Sequence, residues 1–346
     1  LRSGSLDMVL TFTEEQEACG AALLDINMGM SGINEKEMML KVLDEVTVAT
    51  NLPLSVDSSH VDVIEAALRR YPGRALINSI SGETEKLSKL LPIAKKYGAM
   101  FILLPLSDKG LPESLEEKIS IIDQISQMAL DMGMTKEDII VDGLVTTVGA
   151  NPRAAREVLE TIRYCKSKGF ATTCGLSNIS FGLPERSFVN TAFLTMAIQE
   201  GLTMAIANPS QELLVNMTFA SDLLMNKEES DVRYIERMAS YKERAAALAA
   251  KQQSLMAGTV TAVKKEEAEK GISKQDLSSM HQIYQDVMKG NRKQIREHTQ
   301  KAVEEGQEAS YILNELLLPA INEVGNLFDK GKYFLPQLIA SAESMK

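Results

Sequence analysis

Between residues 20 and 208 the chain repeats one pattern: a short apolar run, one or two polar residues, then a segment with apolar residues at helical spacing. The runs are "AALLDIN", "LPLSVDSS", "RALINSIS", "AMFILLPL", "DIIVDGL", "ATTCGLSN" and "TMAIANP". Segments such as "HVDVIEAALRRYPG" and "EKLSKLLPIAKKYG" stand between them and stop at glycine, which closes a helix end in the left-handed conformation without a Cβ clash. Strand and helix in alternation predict a parallel sheet, because parallel neighbours need a long crossover to bring the chain back to the same edge.

Such a sheet is either open and doubly wound or closed into a barrel. Polar residues end nearly every run: Asp25 and Asn27, Asp57 and Ser58, Asn78 and Ser79, Asp142, Asn178, and Asn208. In a barrel these carboxyl ends converge on one mouth, whereas an open sheet offers a ligand only the crevice at its switch point. The expected fold class is therefore α/β, a (β/α)8 TIM barrel, followed by an all-α helical bundle. Seven runs fall one short of a barrel, and "SLDMVLTFTEEQEACG" reads as the helix that follows a first strand. The expectation is a barrel lacking its first strand, which lies upstream in a longer polypeptide.

After Pro209 the pattern turns helical. The barrel with its C-terminal helices is assigned to 1–256 and a polar, charged linker to 257–273, within "GTVTAVKKEEAEKGISKQ"; a solvated surface helix is the alternative for that stretch. Residues 274–346 hold four helical patterns, a small bundle. In the third, Ile312, Leu316, Ala320, Val324 and Phe328 form one apolar stripe widened by Leu313, Leu317 and Ile321, and Pro319 predicts a lost backbone hydrogen bond and a bend.

Composition narrows the function classes. With 37 Lys and Arg against 47 Asp and Glu, the net charge of -10 excludes nucleic acid as the main partner, though a basic pocket for a small anion still fits. No apolar run is long enough for a membrane span, and no long apolar stretch opens the chain as in a signal peptide. Cys19, Cys165 and Cys174 are odd in number and scattered, without the close pairs of zinc or redox motifs. They fit small core residues of a reducing cytosol, so the expected location is cytoplasmic.

The polar strand ends bound the ligand chemistry. Carboxylates accept hydrogen bonds only, while amides both donate and accept. Asp25, Asp57 and Asp142 among Asn27, Asn78, Asn178 and Asn208 thus suit a ring carrying an amino group, an N–H, ring nitrogens and a carbonyl oxygen, as a pterin does. Magnesium is the alternative for three aspartates, but it usually brings a phosphate-bearing substrate, and no glycine-rich phosphate cradle is present. A purely structural alternative has these residues capping helices and turns. It is strongest for Ser58, Ser59 and Asp62, just before "VIEAALRR", and stays open for Asp57 and Asp142.

The stretches "LLDINMG", "LPLSVDSS", "ALINSIS", "IIVDGL" and "GLSNISFGLPERS", over residues 6 to about 215, resemble the pterin-binding domain of cobalamin-dependent methionine synthases and related methyltetrahydrofolate:corrinoid methyltransferases. "NEVGNLFDKGKYFLPQLIASAESMK" resembles the helical cap that precedes their cobalamin domain. The resemblance implies a methyltransferase that moves the N5 methyl group of 5-methyltetrahydrofolate to cob(I)alamin in methionine synthesis. It implies Asp142 as the grip on the pterin amino group and ring N–H, Asp57 and Asn78 as further pterin contacts, Asn178 as the amide beside N5, and Asp25, Asn27 and Asn208 at the pocket rim. Asn178 carries the catalytic role. Phe328, Leu335 and Leu338 are implied as the apolar cap over the methyl-bearing face of the corrin, with a plain bundle core as the alternative. Cobalamin is expected to be held mainly by a corrinoid-binding domain that follows the cap, and zinc only in a separate homocysteine-binding domain or subunit. Neither the family's Gly-Glu-Arg strand nor its Asp-x-His-x-x-Gly corrin-ligand motif occurs here, and His60, His281 and His298 lie in other contexts. Two other readings remain: a dihydropteroate synthase, which expects basic residues that the late strand ends lack apart from Arg186, and an inactive pterin- or corrinoid-binding fragment.

Overall fold

The structure is a computed structural model that describes residues 6–241, 279–330 and 332–345. It divides into two compact units: Leu1–Val148 with Pro152–Ile179 and Arg186–Tyr234, and Gly149–Asn151 with Ser180–Glu185 and Ile235–Lys346. The linker assigned to 257–273 lies outside the described residues.

The first unit begins with α1 (Asp7–Ala18) and then alternates strand and helix: β1 (Leu24–Asn27), α2 (Glu35–Ala49), β2 (Leu54–Asp57), α3 (Val61–Arg70), β3 (Leu76–Gly82), α4 (Thr84–Tyr97), β4 (Met100–Ser107), α5 (Leu115–Asp131), β5 (Ile139–Asp142), α6 (Ala154–Lys168) and β6 (Ala171–Thr173). Helices α7 (Arg186–Glu200) and α8 (Glu212–Leu224) follow, and residues 230–241 are helical (α9). All strand pairs are parallel, and the strand order β1-β2-β3-β4-β5-β6 never reverses. Winding in one direction gives a parallel half-barrel and not a doubly wound sheet, whose strand order reverses at a switch point.

The local sequence explains the element ends. Asn34 and Ser114 cap α2 and α5, accepting from the N–H groups of Glu37 and Glu117, which satisfies donors the helices leave free. Gly98 and Gly169 close α4 and α6 at φ 66° and 78°, as their positions in the sequence require. The seventh run is corrected: "TMAIANP" does not form a strand. It meets β6's extension through one bridge, Gly175 to Ile206, with the Ile206 N–H donating to Cys174 O at 2.9 Å and the Leu176 N–H to Ile206 O at 3.1 Å. Upstream, the N–H groups of Thr203 and Met204 both converge on Thr172 O, so two consecutive residues face one acceptor and the ladder cannot extend.

Strand alternation sorts the side chains into two layers. Leu24, Ile26, Leu54, Val56, Ile77, Phe101, Leu103, Ile139 and Val141 join residues of α2, α3, α4 and α5 in the main buried cluster. On the other, concave face Leu76, Ile102 and Ile140 form a smaller buried cluster with Leu23, Met100, Ala171, Met204 and Ile206 packed on it. Further along the same concave face the strands turn polar, at Asp25 and Asn27, Ser55 and Asp57, Asn78, Asp142 and Thr173.

The second unit contains α10 (Ser279–Lys289), α11 (Arg292–Glu304), α12 (Ala309–Tyr311), a π-helical stretch Ile312–Leu317, α13 (Leu318–Asp329) and α14 (Leu335–Ser344). Its core is Ile283, Val287, Ile295, Ala302, Ile312 and Ala320. The expected stripe holds in the main: Ile312, Ala320 and Val324 are buried, Leu316, Leu317 and Ile321 pack half-buried against the core, and Phe328 is half-buried. Leu313 is corrected, since it lies in the π-helical stretch and is exposed. Pro319 falls at the start of α13 directly after the widened turn, where its missing N–H is least costly. Among the described residues no helix is long and apolar enough to cross a membrane.

Gly82 ends β3, and a Cβ there would lie 2.6 Å from Leu106 O on the neighbouring strand. Backbone of a paired strand cannot swing aside as a flexible side chain can. Gly82→Ala is therefore expected to lower the stability of the first unit by about 1–3 kcal/mol in urea denaturation.

Candidate functional site

Parallel pairing in register brings the polar ends together: Asn27 stands opposite Asp57, Asp57 opposite Asn78, and Asp142 opposite Thr173. Two amide–carboxylate bonds tie Asn27 to Asp57 and Asn78 to Asp25. Asn27 Nδ2 donates to Asp57 Oδ2 at 2.8 Å, while Asn27 Oδ1 accepts the Gly29 N–H at 2.9 Å, which fixes the amide's orientation. Asn78 Nδ2 donates to Asp25 Oδ1 at 3.3 Å.

Burial, opposed by the Asn27 hydrogen bond and reinforced by the negative charges of Asp25 and Glu35, pushes the Asp57 carboxyl up to about 6. Glu35, the first residue of α2, accepts the Ser58 hydroxyl and lies 3.6 Å from His60 Nε2. The Ser58 oxygen also accepts the His60 N–H at 3.1 Å, so Ser58 serves the loop before α3 as the structural alternative held.

Asp142 ends β5. Its Oδ1 accepts the Leu144 N–H at 2.6 Å, and burial, opposed by that bond and by the charge of Lys118, pushes the carboxyl up to about 6. Asn178 lies one strand further, in the short 3-10 turn Leu176–Ser180 after β6, with its side chain exposed. Its N–H bonds to Gly175 O at 3.2 Å, and a Cβ at residue 175 would press to 3.2 Å from the Asn178 amide nitrogen, so glycine leaves the amide its room. Arg186, which follows these late ends, donates to Ser177 O at 2.6 Å and holds that turn.

Asn208 is placed differently. Its Oδ1 accepts both the N–H and the hydroxyl of Ser210, at 2.9 and 2.8 Å, closing a turn. With Ala207, Pro209 and Ser210 it lines a crevice against Phe12, Glu15 and Gln16 of α1 and Cys19 at its end. Asp25, Asn27, Asp57 and Asn78 thus form two hydrogen-bonded pairs on adjacent strands, Asp142 and Asn178 continue the rim over later strands, and Asn208 lines the crevice beside α1.

Three residues around the rim, two on the concave face and one in the helix layer, escape motif reading. Ser55 Oγ and Thr173 Oγ1 are buried without a hydrogen-bond partner in the protein, a cost that a bound polar ligand or water removes. Lys118 of α5 is buried beneath Asp142. Alternation with Asp57 and with Ala171 in their strands was the available signal for the two hydroxyls; for Lys118 there was none, since its helix shows only an ordinary amphipathic pattern. Among the described residues no group of three or more His, Cys, Asp or Glu side chains is placed to hold a metal ion. The Cys165 and Cys174 thiols are buried and pushed up to about 12 by that burial.

The raised carboxyls set a pH signature for the unliganded chain. Below its ordinary value of 3.8, Asp142 is neutral whether folded or unfolded; as pH rises through about 6 the fold has to ionise a desolvated acid, and stability is lost. Asp142→Asn keeps the oxygen that accepts the Leu144 N–H and cannot ionise. It is expected to be more stable than the unsubstituted chain at pH 8, by about 1–3 kcal/mol for a shift of this size, with the difference vanishing near pH 4 in denaturation curves.

Comparison with known proteins places this geometry. The family described as pterin binding enzyme matches residues 1–208, and the family described as B12 binding domain matches residues 280–346. Curated relatives include the methionine synthases of Mycobacterium leprae, 28% identical over 97% of this chain, and of Mycobacterium tuberculosis, 26% identical over 97%. The chain spans 28% of the length of each. Among solved structures, the dihydropteroate synthase of Clostridium difficile with pteroic acid aligns at TM-score 0.54 and 22% identity, over 63% of this chain and 88% of that one. That of Xanthomonas albilineans with 7,8-dihydropteroate aligns at TM-score 0.52 and 18% identity, over 64% and 85%. At these identities the two structures show the fold alone, a TIM-barrel scaffold to which the half-barrel corresponds. With its first 208 residues matched, the chain belongs to the pterin binding enzyme family, joined to a segment of the B12 binding domain family and similar over most of its length to methionine synthases.

Proposed function

We propose that this chain binds a reduced folate by its pterin head and presents the N5 methyl group for transfer to a corrinoid, as part of a methionine synthase-type methyltransferase. The observation that carries the reading is the concave polar rim, with two carboxyls pushed up to about 6 by burial among amides that donate and accept. Asp142 accepts from the exocyclic amino group and adjacent ring N–H of the pterin, a bidentate edge that a carboxylate matches. Asn78 and the Asn27–Asp57 pair supply the mixed donors and acceptors for the other ring edges, and the unpartnered Ser55 and Thr173 hydroxyls add polar groups on the same concave face.

Breaking the N5–methyl bond leaves its electron pair on N5, and an amine leaves well only when N5 gains a proton or a strong hydrogen bond. Assistance of this kind is worth about 10²–10⁴-fold in rate. Asn178 does not titrate in the working range, so it is not the acid; its amide oxygen accepts from protonated N5 and favours that form. The proton itself comes from water or substrate. A bound, reduced corrin supplies the nucleophile for the methyl group. In this chain Phe328, Leu335 and Leu338 fit an apolar cover: they lie on α13 and α14, half-buried and outside the buried cluster of the bundle. Homocysteine and its zinc belong to another part of the machinery, since the buried, protonated Cys165 and Cys174 thiols are unsuited to hold a metal.

Demethylation of added 5-methyltetrahydrofolate by cob(I)alamin, followed by corrin absorbance, tests the reading in the presence of this chain. A chain that binds the folate but leaves the rate at background is a binding module and not a methyltransferase. Asn178→Ala is expected to slow methyl transfer by about 10- to 100-fold, matching a lost charge-assisted bond of about 1.5–3 kcal/mol, with a smaller change in folate affinity. Asp142→Asn is expected instead to weaken folate binding itself by about 10-fold or more, because one acceptor becomes a donor facing donors.

A further inference from the structure

Lys118 is only 6% exposed, in a position on α5 where lysine has no access to bulk water. Its Nζ donates to Gly143 O at 3.3 Å, and Gly143 in turn donates its N–H to Thr173 O at 2.9 Å. The ammonium therefore holds the backbone joint between Asp142 at the end of β5 and the turn that opens at Leu144. Gly143 is itself confined, since a Cβ there would meet Val158 Cγ1 at 2.8 Å. A neutral donor could bond that carbonyl without the desolvation cost of a buried charge, so the hydrogen bond alone does not account for lysine.

The charges around it supply the rest. Glu157 and Cys165 of α6 and Asp142 act on the ammonium, while Asp123 of α5 acts on Cys165 and accepts the Tyr164 hydroxyl. Around Asp142 stand Lys118 and the Cys174 thiol. Burial lowers the Lys118 pKa and raises that of Asp142, and each group partly offsets the other's shift. Lys118 is the cation that acts on Asp142. A protonated Asp142 would present a donor where a pterin's amino edge also donates.

We propose that Lys118 is a positioning residue of the pterin site: from behind the strand end its ammonium fixes the Gly143 carbonyl and supplies the positive potential that keeps Asp142 an ionised acceptor. The role in binding rests on the reading of Asp142 as the pterin grip, whereas the effect on Asp142 is a property of the unliganded chain. Carboxyl ¹³C NMR of the whole chain, with the Asp142 signal assigned by its loss in Asp142→Asn, measures that effect without ligand. In Lys118→Met the Asp142 midpoint is expected to rise by about one pH unit or more, and in Lys118→Arg to stay near its unsubstituted value. Lys118→Gln, which keeps a donor for Gly143 and drops only the charge, is expected to behave as the methionine variant does and stands in for it if that variant does not fold. Affinity for 5-methyltetrahydrofolate should then fall about threefold or more at pH 6.5 and recover at pH 8.5, where Asp142 is largely ionised regardless. An Asp142 midpoint unmoved in folded Lys118→Gln overturns the proposal, as does a loss of affinity equal at both pH values. If the unsubstituted chain binds no folate, the proposed function fails, and the unliganded titration still decides whether Lys118 sets Asp142.

Discussion

The parallel pairing of six short strands, in register except for the shifts of β3 against β4, is the constraint from which the rest of the first unit follows. Each strand contributes only a few residues, yet because all run the same way and neighbours follow in chain order, their carboxyl ends fall along one rim. Side-chain alternation then separates the two faces. One buries Leu24, Ile26, Val56, Ile77, Phe101 and Val141 against helices, and the other carries a small apolar floor at Leu76, Ile102 and Ile140 and polar ends beyond it. A slip of one residue in any strand would exchange these faces, so the apolar pattern that drives folding also aims the carboxylates.

That arrangement places a functional burden on a stable scaffold. Asp57 and Asp142 are held where burial disfavours their ionised forms, and Ser55 and Thr173 keep hydroxyls without protein partners. Each is a local cost tolerated because the helix-facing cluster is large and closely packed. A site that is incompletely satisfied when empty is prepared for a ligand rich in both donors and acceptors, which is how the proposed pterin binding and the rim's electrostatics belong to one argument. Lys118 extends that argument into the helix layer, showing that the chemistry of a strand end is set partly by residues behind the sheet.

The second unit follows different rules. Its apolar stripe is readable as a helix and its members from Ile312 to Val324 reach or flank the core, whereas Leu313, in the π turn over Ile312–Leu317, is left exposed. Phe328, Leu335 and Leu338 remain half-buried on the last two helices. Interruptions of this type arise where packing and a proline compete, and a pattern that assumes constant periodicity cannot locate them.

Much of this protein was written in the chain itself. Alternating apolar runs and helical segments specified parallel strands, because period and turn residues are local properties, and the polar residues ending those runs specified the rim. Asp25, Asn27, Asp57 and Asn78 were recognisable one by one as strand ends. That they form two hydrogen-bonded pairs, that Asn208 closes a turn beside α1, and that "TMAIANP" makes a single bridge were decided only when register and loop path were fixed in space. The ionisation of Asp57 and Asp142 belongs to the same class, since it depends on Glu35, Lys118 and the exclusion of water, all brought near by the fold across gaps in sequence. Local pattern determines what each segment is; charge, solvation and partnership depend on distances, and only the tertiary structure sets those.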